Sequence, residues 1–533
     1  MKKIFLSLAV FSLFTGQLFS QFEYTVSLSQ QDQVWPALQS FVWAKTDSKF
    51  LVAGGRTDGL HRRQPFASFD PAFNNSVMYV IDPTTGEAWN ANLNALSQGI
   101  ADQLSSSNME FYQMDNLLIC VGGYGYNTPT AGKVTFPNVL VIEVEETIDA
   151  IMNGDDVSPF IQQLTNQNLA VCGGHLESIN NKLVLVGGHR FDGNYNPMNN
   201  PTFTQAYTSA IKSFTIEEVD GVYSIANYES FVDADLLHRR DYNLLASVDP
   251  NGENDLILFS GVFQATADLP YLDCVEIDNE NTVSTIPNFS QYLNQYHTAS
   301  MAMYSASNNQ SAHIFFGGIS QYYYDETGNL VNDVNVPFSK NISAVERNSS
   351  NEFSEFLVGQ MPAYLGASAE FLPVNNEALW LANGVLNFDA LTSTPTLVGY
   401  ILGGIESSEA NIFWINTGVE SWASTKIYEV YITAGITESV EIAASSDPVQ
   451  FRLFPNPTTD DIQIEFSMLR SAKVEVTWTN AEGKIVAVSD LGQLPNGKHQ
   501  YLWTVPSDWA SGQYLCSVRM NDEVKTIHVI IQK

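Results

Sequence analysis

Seven arginines stand between residues 21 and 436: Arg56, Arg62, Arg63, Arg190, Arg239, Arg240 and Arg347. They are scarce cations in an acidic chain, whose 533 residues carry 58 Asp and Glu against 24 Lys and Arg, a formal net charge of −34. A guanidinium presents paired N–H donors that match a carboxylate, sulfate or phosphate. His61, His189 and His238 are the immediate sequence neighbours of three of these arginines, and His297 lies further on. Tyr124, Tyr126, Tyr195 and the Tyr322-Tyr323-Tyr324 run supply rings that suit sugar faces or apolar ligands. Two of the arginines share an Arg-x-Asp-Gly frame, Arg56 to Gly59 and Arg190 to Gly193. Asp-Gly makes turns and an arginine can brace a long loop through carbonyls and nearby Asp. Anion capture and loop bracing are therefore both open for each residue.

Other chemistry is poorly supplied. There is no G-x-S-x-G elbow, no H-E-x-x-H pair and no phosphate-binding loop, so no catalytic residue is assigned. Asp249 to Asp255 and Asp325 to Asp333 are rich in oxygen ligands but lack calcium-loop spacing, and no metal or other cofactor is assigned. His175 follows a glycine pair and is read as structural. The four cysteines, Cys120, Cys172, Cys274 and Cys516, form no C-x-x-C pair and sit in apolar runs. Free buried thiols are expected, with a Cys120–Cys172 pair as the alternative. The acidity argues against nucleic acid as a partner.

The elements that must position the arginines recur. A short apolar run ending in a glycine pair appears at Phe50 to Gly55, Leu117 to Gly123 and Leu183 to Gly188, and more weakly at Leu256 to Gly261 and His313 to Gly318. Leu379 to Gly384 is the sixth candidate, with Gly403-Gly404 one strand later. The interval is about 65 residues. Another apolar strand precedes each run, and a polar loop with a further hairpin follows most of them. That makes four antiparallel strands per unit, with a glycine pair where backbones crowd. Such units cannot bury both faces alone and must stack around a ring.

Gly174-His175 through Gly188, with Trp89 in the aromatic position of its own unit, resemble the kelch motif. The resemblance implies an all-β fold, a six-bladed β-propeller over residues 21–436, with seven blades as the alternative. Glu145 to Leu164 is expected as a helical insertion in the second blade. Whether Glu23 to Leu28 closes the ring stays open. In kelch propellers the loops after the glycine pair and those leading into each first strand open on one face. The resemblance therefore places Arg56, His61, Arg62, Arg63, His189, Arg190, His238, Arg239, Arg240 and His297 together as the ligand-binding set. Copper radical oxidases share the kelch fold, but their thioether-linked Cys and Tyr find no counterpart here.

The two ends read as addresses. Met1-Lys2-Lys3, the apolar run Ile4 to Phe14 and small Ser20 form a secretory signal peptide over residues 1–20. No cysteine lies near Gln21, and no later stretch is long and apolar enough for a transmembrane segment. Residues 437–448 form a linker ending in Ala443-Ala444-Ser445-Ser446-Asp447-Pro448. Residues 449–533 then alternate as short strands, a small β-sandwich opening on Phe454-Pro455-Asn456-Pro457-Thr458-Thr459-Asp460. This module resembles the type A C-terminal sorting domain of the Bacteroidota type IX secretion system. The resemblance implies a partner, the type IX secretion machinery, and a secreted or outer-membrane-surface location. Strings such as Gly55 to His61 and Gly188 to Gly193 also resemble uncharacterised type IX cargo proteins, which supply no reaction. The expectation is a binding or adhesion module for an anionic glycan or protein. An epimerase- or lyase-type enzyme on the same face and a structural surface protein are the alternatives.

Overall fold

A computed structural model describes residues 22–435, 440–442 and 451–533, apart from residues 197, 199, 326, 455, 457, 469–471, 481–483, 495–496 and 521–522. The leader and most of the linker lie outside the described residues. The chain is all-β, and its helices of an α-type turn are short.

Six sheets of four or more strands follow one another among the described residues up to 442. Sheet one holds Val42–Lys45, Phe50–Ala53, Val77–Asp82 and Glu87–Asn92. Sheet two is Ser107–Met114, Leu117–Asn127, Asn138–Glu143 and Ile161–Thr165. Sheet three is His175–Ile179, Lys182–Val186, Ala210–Val219 and Val222–Val232. Sheet four is Asn243–Val248, Asn254–Phe259, Val275–Ile277 and Val283–Thr285. Sheet five is Ser300–Ser305, Gln310–Phe316, Asn341–Arg347 and Phe353–Gln360. Sheet six is Ala369–Pro373, Thr396–Gly403, Ile427–Ala434 and, outermost, the N-terminal strand Tyr24–Gln30. That last pairing is antiparallel, Tyr24 against Ala434 through Gln30 against Tyr428, so the start of the chain completes its last sheet.

The second strand of each sheet is apolar on both faces because each sheet packs on two neighbours. Leu51 and Val80 meet Leu118 and Leu140 between sheets one and two. Ile119 and Val141 meet Leu183 and Phe214 between two and three. Val184 and Ile211 meet Leu256 and Val275 between three and four. Ile257 and Phe259 meet Phe315 and Val345 between four and five. Ile314 and Ala344 meet Ile401 and Val430 between five and six. Tyr400 and Ile427 meet Phe50 and Ile81, which returns the packing to sheet one.

The glycine pairs sit where neighbouring sheets touch. The second glycine N–H donates to a carbonyl of the chain leading into the next sheet: Gly55 to Ser106 (2.8 Å), Gly123 to Val171 (2.9 Å), Gly188 to Arg239 (2.8 Å), Gly318 to Leu365 (3.1 Å) and Gly404 to Leu38 (2.8 Å). In sheet four Ser260 replaces the first glycine, and its hydroxyl donates to the Asn294 carbonyl at 2.8 Å. Both residues of every pair have positive φ, as at Gly122 (68°) and Gly123 (89°). At Gly122 a Cβ would also overlap the Val171 carbonyl oxygen.

Three sequence expectations are corrected here. The sixth glycine pair is Gly403-Gly404, not Leu379 to Gly384; the latter segment leaves the sheet as a short helical turn, Glu377–Leu379, followed by loop. Its apolar residues are explained by burial elsewhere, described below. Part of the linker is strand: Val440–Ile442 pairs antiparallel with Leu357 to Glu355 at the edge of sheet five. The insertion in sheet two is the helix Val144–Asn153, closed by Gly154 in the left-handed conformation at φ 75°. It turns Val144, Ile148 and Ile151 into the core, while Ile161–Thr165, expected as part of the insertion, is the fourth strand.

Beyond residue 450, strands Phe451–Phe454, Asp461–Met468 and Gly497–Thr504 form one sheet. Ala472–Asn480, Ile485–Leu494, Gly512–Met520 and Glu523–Ile531 form another. Ile462, Ile464 and Phe466 of the first share one core with Val476, Trp478, Val518 and Val529 of the second.

Candidate functional site

Arg56, Arg62, Arg63 and Arg190 follow glycine pairs, Arg239 and Arg240 lie in the segment leading into Asn243–Val248, and most of these side chains are spoken for. Arg56 is 3% exposed and gives its Nε and Nη2 to the two oxygens of Asp58 at 2.8 and 2.7 Å. It also donates to Asn74 Oδ1 and the Asp70 carbonyl. Arg190 pairs with Asp192 at 2.7 Å, so the Arg-x-Asp-Gly frame is an i, i+2 clamp. Arg239 is fully buried. It donates to the carbonyls of Leu236, Ser260 and Asp273 and to Asp273 Oδ2, with its guanidinium 4.0 Å from the Tyr271 ring. Arg240 pairs with Asp241, donates to Tyr207 Oη at 3.3 Å and lies over Phe263. For Arg56, Arg190, Arg239 and Arg240 the structure thus shows internal partners rather than a vacant anion cradle. Arg347, on sheet five, is held by Asp255 and Glu276.

The histidines are ring-packed. His61 sits among Phe69, Tyr195 and Phe413 at 5.5, 4.7 and 5.5 Å between ring centres. Burial, reinforced by the nearby charges of Arg240 and Arg56, lowers its pKa to about 4, and among the described residues its Nδ1 has no hydrogen-bond partner. His189 meets Gln205 Nε2 through Nδ1 at 2.6 Å and burial brings its pKa to about 3. His238 stacks on Tyr207 at 3.9 Å. These rings tie the loops of sheets one, three, four and six together and are neutral near pH 7.

Arg62 and Arg63 differ from the rest. Neither has a carboxylate partner among the described residues. Arg62 lies over Phe73 and against Gly418; Arg63 lies over Trp414 at 5.0 Å and donates to its carbonyl at 2.8 Å. The loop after Ile405–Ser407 in sheet six is stitched to this loop of sheet one. Asn416 Nδ2 donates to the carbonyls of Leu60 and His61, and the Leu60 N–H donates to Ser421 Oγ. The result is a ledge with Phe66 90% and Trp414 50% exposed, beside exposed Ile415, Val419 and Trp422. Sequence reasoning missed these aromatics because only the tertiary fold brings residues 60–66 beside 414–422.

A second feature lies where the six innermost strands face one another, a cavity of about 530 Å³. Asp241 and His297 line it together with His175, whose ring centre is 6.4 Å from that of His297. His175 Nε2 lies 2.6 Å from the Tyr242 carbonyl, which fixes the proton on Nε2 and leaves Nδ1 as acceptor. Burial holds the His175 pKa down at about 4 and lowers that of His297, against the pull of Asp241. Burial raises Asp241, but Arg240, with His297 and His189, outweighs it and keeps the carboxyl low. Three glutamates on the walls, Glu110, Glu177 and Glu370, were not singled out in the sequence. Their signal was an acid inside an apolar first strand, Asn108-Met109-Glu110-Phe111 for example. The Asp249 and Asp325 carboxylates, by contrast, accept the N–H groups of their own turns. All four cysteines are free and buried.

No described helix is long and apolar enough to cross a membrane. Among curated proteins, none matches the chain. Among solved structures, that described as "Structure of YjhT" is 14% identical with a TM-score of 0.42, covering 78% of this chain and 99% of its own. A copper-bound fungal alcohol oxidase of the AA5 family is 10% identical with a TM-score of 0.37, covering 95% of this chain and 99% of its own. Residues 452–532 match the secretion system C-terminal sorting domain. That domain supports a type IX secretion cargo protein, exported to a secreted or cell-surface location.

Proposed function

We propose that this cargo is a six-bladed kelch-type β-propeller followed by a β-sandwich sorting module, and that it is a binding or adhesion module for an anionic glycan or protein. The propeller reading rests on the cycle of sheet packing and on the six equivalent glycine or Ser-Gly corners. Residues 1–20 act as the signal peptide and residues 437–448 join the two modules. The observation that carries the binding reading is the ledge: Arg62 and Arg63, without carboxylate partners among the described residues, on loops that also expose the rings of Phe66, Trp414 and Trp422. Aromatic faces take sugar or apolar surface, and the two guanidinium groups take a uronate, sulfate or acidic side chain. Within so negative a protein, a local cationic spot draws an anion to one place. His61, His189, His238 and Arg240 act beneath this surface by holding the loops in place, and Arg56, Arg190 and Arg239 brace them.

The test is a screen of sulfated, uronate-containing and neutral polysaccharides and acidic proteins, with product detection. Replacing Arg62 and Arg63 together with Ala should weaken anionic binding about tenfold or more, with the melting temperature within about a degree. Unchanged binding would remove the ledge from the reading, and a released product would replace adhesion by catalysis.

A further inference from the structure

The central cavity has chemistry opposite to that of the ledge. Its walls carry Glu110, Glu177, Glu370, Asp115 and Asp241 against one lining cation, Lys45. Asp241 is already matched by Arg240, whereas Glu177 and Glu370 have no cationic partner among the described residues. Glu110 is 2% exposed; its Oε1 accepts the Gly174 N–H at 2.7 Å, and its Oε2 has no hydrogen-bond partner. Rings interleave with these acids. Trp43 stands 6.1 Å from Phe111, and Phe371 stands 6.3 Å from Trp380, measured between ring centres.

One end of the cavity is lined by the segment that resembled a sixth repeat in the sequence. Leu381 to Val385 face the cavity, while Leu386-Asn387 pairs parallel with Met303-Tyr304 of sheet five. Asn383 reaches Asn254 of sheet four at 2.9 Å, and Asp389 accepts from Ser305 and Ser307. The segment therefore runs from sheet six across to sheets five and four and floors the space. Leu379, Val385 and Leu386 of this segment, which looked like a buried strand, are buried beside the inner strands instead, while Trp380 and Leu381 are half-buried.

We propose that this floored cavity binds a small organic ammonium compound, with the carboxylates of Glu177 and Glu370 as counter-ions and Trp43, Phe111, Phe371 and Trp380 as its aromatic walls. The size is that of a small-ligand pocket. Carboxylates give the charge, and ring faces attract a cation through their quadrupoles. A chelated metal fits less well: among the described residues no three His, Cys, Asp or Glu side chains stand close enough to hold one. Burial raises the pKa of Glu177 to about 7, and of Glu370 and Glu110 to about 8. A bound cation would restore their ionised forms, so binding releases protons. His175 and His297 stay neutral and add acceptors, and the Arg240 charge is taken up by Asp241.

The full chain is titrated with putrescine, with butanediol as the neutral isostere and calcium chloride as the metal arm. Calorimetry and the fluorescence of Trp43 and Trp380 report binding. Saturable putrescine binding is expected, strengthening about tenfold from pH 6 to pH 8.5 as the carboxyls ionise. Glu370→Gln and Glu177→Gln should each weaken it by about tenfold, and Trp43→Leu should weaken it and shift the fluorescence response. Circular dichroism checks folding, and Glu177→Gln alone carries the test if Glu370→Gln does not fold. Absent saturation, an equal response to butanediol, a response to calcium alone, or unchanged affinity in a folded Glu177→Gln protein each overturns the proposal.

Discussion

Arg239→Ala separates bracing from binding more cleanly than any other substitution. The side chain is fully buried and its partner Asp273 is half exposed. Its guanidinium makes three hydrogen bonds to carbonyls, of 2.8–3.1 Å, and one of 2.6 Å to the Asp273 carboxylate. Hydrogen bonds to charged groups contribute about 1.5–3 kcal/mol each, but water re-enters and recovers part of that when the side chain goes. Loss of one member of a fully buried charged pair costs about 3–5 kcal/mol; the half-exposed Asp273 left here rehydrates and lowers that cost, while the Leu236 and Ser260 carbonyls lose a donor inside the fold. Roughly 4 kcal/mol is the working figure. With an unfolding entropy of about 2 cal/mol/K per residue over the roughly 400 residues of the six sheets, that is a fall of about 5 °C in Tm. Arg190→Ala is the control: its side chain is 49% exposed and holds one ion pair, so its loss is worth about 0–1 kcal/mol. Scanning calorimetry on both variants and the parent makes the comparison. An Arg239→Ala protein within a degree of the parent, or a fall no larger than that of Arg190→Ala, refutes the bracing argument. A folded Arg239→Ala protein should keep anionic-ligand binding at the ledge.

Gly122→Ala should destabilise far more than Gly154→Ala, by about 3 kcal/mol against about 1. Both have positive φ, but only at Gly122 does the new Cβ strike a neighbouring sheet, and urea unfolding midpoints decide between them. Stability should also fall on both sides of about pH 6.5. Glu110, with its pKa raised to about 8 by burial, contributes stability that is present below pH 4.5 and lost as the pH rises through 8. His61, His175 and His189, lowered to between about 3 and 4, contribute stability that is present above 6.5 and lost as the pH falls through those values. Glu110→Gln should make the alkaline limb of a Tm-against-pH curve shallower, without abolishing it because Glu177, Glu355 and Glu370 are raised in the same way, and should steepen the acid limb between pH 4.5 and 6.5. Deleting residues 449–533 should leave a folded propeller retained in the periplasm, and its normal appearance outside the cell would contradict the sorting role.

What the sequence determined by itself is the repeating strand pattern, the corners and the tail. Apolar runs such as Leu183 to Val186 announce strands buried on both faces, and glycine pairs announce corners where only a missing Cβ fits. These are local properties, so they are legible locally. The FPNPTTD opening and the alternating strands after it carried the sorting resemblance in the same way. The sequence misplaced the sixth corner because Leu379 to Gly384 has the composition of a buried strand, and composition does not say whether the burial is in a sheet or beneath a ring. Arginine content likewise showed which residues carry charge but not which charge was free. Arg239 and Arg62 look alike in sequence. One is consumed by Asp273 and three carbonyls, and the other has no carboxylate partner among the described residues, because Ser260 and Asp273 come to the first only through sheet four. The closing pairing of Tyr24–Gln30 with Ile427–Ala434 joins residues about 400 apart, and the ledge joins residues 60–66 to 414–422. No local pattern encodes such pairings. They follow from six sheets that each need two partners, which a linear stack cannot supply at its ends and a cycle can.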